Sequence, residues 1–190
     1  MGTCVTHVLF VFFLVKNARD VYKRQTLEEV AAAARHALEN IRTMGVALSS
    51  CTVPQVGEPT FSIAEDEIEI GMGIHGEPGL EVRKMMTADQ VAETLVQKIT
   101  EDMPLESGDE VSVMVNGLGA TPLEEHLIVY RRVHALLTQM GVSIFMPHIG
   151  EYATSMEMAG LSLTIMKLDG ELKGLLSQTA RSPFYTNYNK

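Results

Sequence analysis

The residue types best suited to chemistry stand in one short run, Gly71-Met72-Gly73-Ile74-His75-Gly76-Glu77-Pro78-Gly79. Four glycines and a proline around one imidazole predict a strand that ends in tight turns with little side-chain cover. A ligand there reaches both main-chain N–H groups and the ring of His75, with Gly73 and Gly76 leaving space on either side. Glu77, two residues on, is placed to hold the imidazole in one tautomer. Taken by itself, the run also describes a plain turn that carries a surface histidine.

Other candidates offer less. Gly117-Leu118-Gly119 could be a phosphate nest, but the third glycine of a dinucleotide fingerprint would fall on Pro122. The simpler reading is a helix start, with Thr121 as N-cap, Pro122 at N1 and Glu124 at N3. No Gly-Lys-Ser/Thr of the Walker type occurs. His126 and His134 are eight apart on one helix and read as solvated or core-edge groups, and His148 after Pro147 is a weaker ligand candidate. Cys51 reads as a small buried residue. Cys4 and Cys51 make neither a disulfide framework nor a zinc cluster, and no metal site is expected.

The elements that position these residues follow from periodicity. Thr26 with Glu29 forms a capping box ahead of Leu27, Val30, Ala34, Leu38 and Ile41 at helical spacing, with Gly45 as the stop. Val46 to Leu48 is a short extended segment, and Phe61 to Ile63 and Ile68 to Met72 alternate as strands do. A second amphipathic helix opens at Thr87 and runs to about Thr100. Glu110 to Asn116 is a strand, the helix after Pro122 ends at Gly141, and Val142 to Met146 and Leu161 to Leu168 are strands. Helices alternating with strands predict a single α/β domain, a mixed β-sheet layered with helices.

The 190 residues suit one domain, which buries about 70% of its unfolded surface without metal or disulfide. Fifteen basic against twenty-four acidic residues give a formal charge of -9, which argues against nucleic acid as a partner. The apolar run Val8 to Val15 is too short to span a membrane, so no membrane partner is expected, and the cysteine usage fits a cytoplasmic protein. Residues 1–25 are aromatic and basic, unlike the acidic remainder. They read as a non-native or unstructured leader, translated adapter read-through joined to a truncated gene; an unusual signal sequence and a buried strand are the other readings.

Beyond the leader, several separated segments share one resemblance. Cys51-Thr52-Val53-Pro54, Gly73 to Gly79, Val115 to Glu124 and Ile149 to Ser162 stand in the order found in the substrate-binding K subunit (K domain) of dihydroxyacetone kinases. The chain resembles the C-terminal half of that subunit from about Thr26 onward. The resemblance implies that His75 captures dihydroxyacetone covalently, a ring nitrogen adding to the ketone carbon to give a hemiaminal, with Gly73, Gly76 and Glu77 supporting the loop. It divides the chain into a helix left from the preceding domain, residues 26–45, and the C-terminal domain of the K subunit, residues 46–190.

A neutral imidazole is a nucleophile toward a carbonyl and finds no electrophilic carbon in glycerol, so capture tests for the ketone directly. The family's first domain supplies a glycine-rich histidine loop and an aspartate for the substrate hydroxyls, and this sequence does not spell that loop. The isolated chain is therefore expected to be inactive. ADP or ATP with Mg²⁺ is expected on a partner L subunit or domain, and no cofactor on this chain. The phosphoryl donor, a phosphohistidine carrier or ATP, stays open. The full-length parent is expected to be a homodimeric glycerone kinase. The alternatives are a non-catalytic ketose-sensing module and a kinase for another short ketose such as erythrulose.

Overall fold

The computed structural model describes residues 26–59, 61–74, 79–181 and 185–188, so the expected leader over residues 1–25 lies outside the described residues. The first helix, α1 (Leu27–Glu39), is launched by the expected capping box. Glu29 N donates to Thr26 Oγ1 at 3.2 Å, and the Glu29 carboxylate accepts from Thr26 N at 2.7 Å. The helix closes at Asn40, well before the expected stop at Gly45. Ile41 already belongs to strand β1 (Ile41–Ala47), so residues 41–45 are sheet and not helix. Pairing decides this: β1 runs antiparallel to β7 (Gly160–Lys167) in unbroken register from Ile41↔Met166 to Ala47↔Gly160.

The remaining strands of the main sheet are β2 (Glu67–Ile70), β3 (Glu81–Lys84), β4 (Glu110–Gly117), β5 (Ser143–Ile144) and β6 (His148–Gly150). Their order is β3-β2-β1-β7-β4-β5, with β6 also pairing β4. Among these pairs, β4–β5 and β4–β6 are parallel and the rest antiparallel, so the sheet is mixed, as the sequence predicts. Phe61 to Ile63 forms no strand, and the expected strand over Val142 to Met146 shrinks to two residues. A separate antiparallel pair, β8 (Ala180–Arg181) and β9 (Thr186–Asn187), lies near the C-terminus.

Alternation along the strands builds two apolar layers. Val46, Val111, Val113, Val115, Leu161, Leu163 and Ile165 share one core with α2 (Ala88–Asp102) and α3 (Leu123–Gln139), which contribute Val91, Leu95, Ile99, Val129, Val133 and Leu137. Each such side chain, fully buried, stabilises the fold by roughly 1.5–3 kcal/mol. In the second layer Ile41, Met114 and Met166 pack against Ala37 of α1 and against Leu172 and Leu176 of α4 (Gly170–Leu176). Helix α1 thus packs on the same sheet as the rest of the chain. Helix α3 departs from expectation at its start. Pro122 is the N-cap and no side chain bonds the first turn, because the Thr121 hydroxyl instead accepts from Gly160 N at 2.7 Å.

Candidate functional site

The strand ends Ala47, Ile70, Gly117 and Gly160 meet at one end of the sheet, and the glycine-rich run departs from there. Its neck is closed by backbone contacts. Gly71 N donates to Gly45 O and Leu80 N donates to Ile70 O, both at 2.7 Å, and Gly79 N donates to the Glu69 carboxylate at 2.6 Å. A Cβ is excluded at Gly45 and Gly71, and also at Gly79, where it would lie 2.7 Å from Ile70 O. A Cβ on Gly45 would lie 2.5 Å from Met72 O, and Gly71, at φ +88°, would place one 2.7 Å from Leu80 Cγ. Met72 is buried among Ala47, Cys51, Leu118 and Met158, while Ile74 packs both there and against the cluster on the α1 face. Of the predicted site residues, Gly73 is buried within the rising limb; His75, Gly76 and Glu77 lie outside the described residues. The limbs that carry them are placed up to Ile74 and from Gly79.

Around this neck the separated sequence motifs come together. Leaving β1, Leu48 N and Ser49 N donate to Ala159 O, Thr52 N donates to Glu157 Oε1 at 2.6 Å, and Cys51 Sγ lies 3.5 Å from Ser155 Oγ. Glu157's own backbone N–H, joined by that of Thr52, holds its carboxyl below the usual carboxylate range. Leaving β4, Leu118 N donates to Gly160 O, Ser155 N to Leu118 O and Ala120 N to Met158 O. Asn116, fully buried, fastens the 151–155 turn. Its Oδ1 accepts from Tyr152 N (2.8 Å) and Ala153 N (2.9 Å), and its Nδ2 donates to Ala153 O (2.8 Å). Buried polar groups are costly unless paired, and here they are paired. The result is a cross-linked platform against which Met72, in the described part of the glycine run, packs.

A cavity of about 370 Å³ is lined in part by His148, Tyr152 and Tyr185. His148 Nε2 lies 3.1 Å from the Tyr185 hydroxyl. Burial, with Tyr152 adding to it, pushes the Tyr185 phenol up to about 12. Tyr152 and Tyr185 share with Ile74 the apolar cluster of the α1 face. Neither tyrosine stands out in sequence, since each becomes a wall only when the chain beyond β6 and the C-terminal pair fold back.

His126 corrects its sequence reading. It is fully buried, although His134 on the same helix is exposed as expected. Neither His126 ring nitrogen has a hydrogen-bond partner among the described residues, and burial lowers its pKa against the weaker opposing pull of Glu151 and Glu125. A folded ring that refuses a proton which the unfolded ring accepts near pH 6.5 makes stability fall as pH drops below about 6.5. The partly exposed His36–Asp169 pair (2.6 Å) works in the opposite sense. Its raised imidazole pKa, due first to the Asp169 hydrogen bond, adds stability below about 6.5 that is lost as pH rises through the folded value. In urea titrations between about pH 7 and pH 5, His126→Phe should therefore lose less stability on acidification than the wild type does. Equal losses in the two proteins would contradict the burial of a neutral ring.

Comparison with known proteins points to one family. The Dak1 domain model matches residues 9–184. The dihydroxyacetone-binding subunit DhaK of PTS-dependent dihydroxyacetone kinase 1 from Listeria innocua is 49% identical over 146 residues, which cover 77% of this chain and 44% of that protein. L-erythrulose kinase of Pectobacterium atrosepticum is 42% identical over 181 residues, 93% of this chain and 30% of that protein. Among solved structures, the dihydroxyacetone kinase operon co-activator Dha-DhaQ superposes with a TM-score of 0.83 at 28% identity, covering 91% of this chain and 54% of that one. The chain therefore spans less than half of the Listeria subunit that it matches. No helix among the described residues is long and apolar enough to cross a membrane. A family match from residue 9 to residue 184 shows that this chain belongs to the Dak1 domain family.

Proposed function

We propose that the chain forms the ketose-capturing part of a dihydroxyacetone-binding K subunit in a cytoplasmic glycerone kinase. The observation that carries this reading is the convergence of the segments around Cys51, Gly71, Asn116 and Ser155 on the neck of the glycine run. His75 is the nucleophile. The lone pair of one ring nitrogen forms the C–N bond, the carbonyl π pair moves to oxygen, and that oxygen gains a proton as the other ring nitrogen gives one up. No water is lost, so the product is a hemiaminal. Gly73 and Gly76 leave room for the triose, and Glu77 orients the ring. Covalent capture then fixes the substrate hydroxyl for phosphoryl transfer.

In this reading the nucleotide and its Mg²⁺ belong to a partner L subunit, the intact K subunit pairs as a homodimer, and the isolated chain does not turn over. The 42% identity to an L-erythrulose kinase supports erythrulose as a second substrate, because capture needs only a carbonyl. The likeness to an operon co-activator supports a sensing role as the other alternative. Calorimetry on the intact subunit separates capture from ordinary recognition. Dihydroxyacetone is expected to bind at least about tenfold more tightly than glycerol, about 1.4 kcal/mol, and His75→Ala to erase that gap. Equal affinities for ketone and polyol in the wild type would remove the proposal. Phosphorylation on adding an L subunit distinguishes the kinase from the sensor.

A further inference from the structure

The edge of the main sheet carries an extra residue beside the cavity at His148. Between its two pairings with β4 the edge advances four residues, Ile144 to His148, while β4 advances three, Val111 to Met114. This is a bulge, a device that recurs at sheet edges and beside functional sites. The surplus is absorbed at Met146, whose φ of +51° lies in the left-handed region that a Cβ disfavours. Phe145 N donates to Val111 O at 2.8 Å and Ser112 Oγ to Met146 O at 3.3 Å, so the strained segment is held in place. Met146 and Pro147 line the cavity of about 370 Å³ together with Tyr152 and Tyr185. Strain of this kind persists where the surroundings impose it, and it gathers at ligand sites. We propose that the cavity binds an uncharged sugar ring, with its C–H face against the tyrosine rings and a hydroxyl on the Tyr185 phenol.

The chemical class follows from the lining. The His148 ring lies between two others, its centroid 6.2 Å from that of Tyr152 and 5.9 Å from that of Tyr185. Such rings offer apolar faces with a polar tip, which suits a molecule with a C–H face and a hydroxylated rim. A phenol oxygen has more than one bonding role, so the 3.1 Å contact with His148 is compatible with a second bond to a ligand hydroxyl. Asn187 is fixed at the cavity by its Nδ2, which donates to Gln178 O at 3.1 Å and Leu176 O at 3.3 Å. Among the described residues that line the cavity there is no Asp, Glu, Lys or Arg to select a charged ligand. Lys173, 4.7 Å from the Phe145 ring centroid, is paired with Glu110 at 2.7 Å. The volume falls in the range of about 300–1,000 Å³ usual for small-molecule sites.

Methyl β-D-glucopyranoside is the probe, titrated into the full chain. Its anomeric carbon is locked as an acetal, so it offers His75 no carbonyl and the outcome is independent of the proposed function. Saturation-transfer NMR is expected to carry magnetisation from the protein's aromatic protons to the C–H protons of one sugar face, with half-saturation in the millimolar range. Tyr185→Phe keeps the ring and loses the hydroxyl, and should weaken binding by about tenfold. Tyr130→Phe, in the core on the opposite layer, should leave it unchanged. If Tyr185→Phe does not fold, the wild type decides through its Tyr152 ring signals, which should shift with the same half-saturation as the transfer. A response that grows linearly with the probe, Tyr152 signals that stay in place, equal affinity in a folded Tyr185→Phe, or displacement of the glycoside by sulfate would overturn the proposal.

Discussion

Asn116→Ala is expected to destabilise the fold by about 3–5 kcal/mol, visible as a large drop in the urea midpoint with little change in slope. The single side chain satisfies two backbone N–H groups and one carbonyl of the turn that carries Tyr152 and Ala153. Truncation leaves all three without this partner in a part-buried setting, and an orphaned buried group costs about 1–3 kcal/mol. Against a total stability of roughly 5–15 kcal/mol this is a large fraction. Asn116→Asp retains the acceptor and, once its carboxyl is protonated, regains a donor. Its stability should therefore climb toward the wild type relative to Asn116→Ala as the pH is lowered. If Asn116→Ala unfolds at the wild-type urea concentration, the turn is held by something else.

Gly119→Ala should have the larger effect and abolish cooperative unfolding. Gly119 sits at φ +133°, and a Cβ would stand 1.9 Å from Met156 O, a backbone atom that cannot swing aside. The segment also bridges to Met158, and its neighbours bond across the gap through Ser155 N to Leu118 O and Ala120 N to Met158 O. Relief requires opening that zipper, in addition to about 1–3 kcal/mol of backbone strain. Gly174→Ala in α4 is the matched control. Nothing lies within 4 Å of its Cβ position, and a helical alanine should be neutral or gain about 0.5–1 kcal/mol. Circular dichroism melts of the two variants make the comparison.

The parts legible in the sequence were those fixed locally. The capping box at Thr26 and the amphipathic stripe that opens at Thr87 specify α1 and α2 through contacts a few residues apart. What escaped depended on distant partners. Ile41 fits the helical stripe of α1, but seven residues of pairing with β7 claim it for the sheet. Thr121 looks like a cap until Gly160 N, on another strand, takes its hydroxyl. The strands β3 and β6 are too short to show a period. His126 did carry a signal, because it falls on the stripe of Val129, Val133 and Leu137; the missing piece was the space that Gly117 leaves for its ring. The family motifs were visible as strings, whereas their convergence on the loop neck required the sheet topology.

The proposed capture is tested most directly by carbon NMR of the intact subunit with dihydroxyacetone labelled at its central carbon. The account predicts a protein-bound signal in the tetrahedral range, absent from His75→Ala and coupled to an imidazole nitrogen when the histidines carry ¹⁵N. A bound triose whose central carbon keeps its carbonyl resonance, with His75 uncoupled to it, would contradict the account.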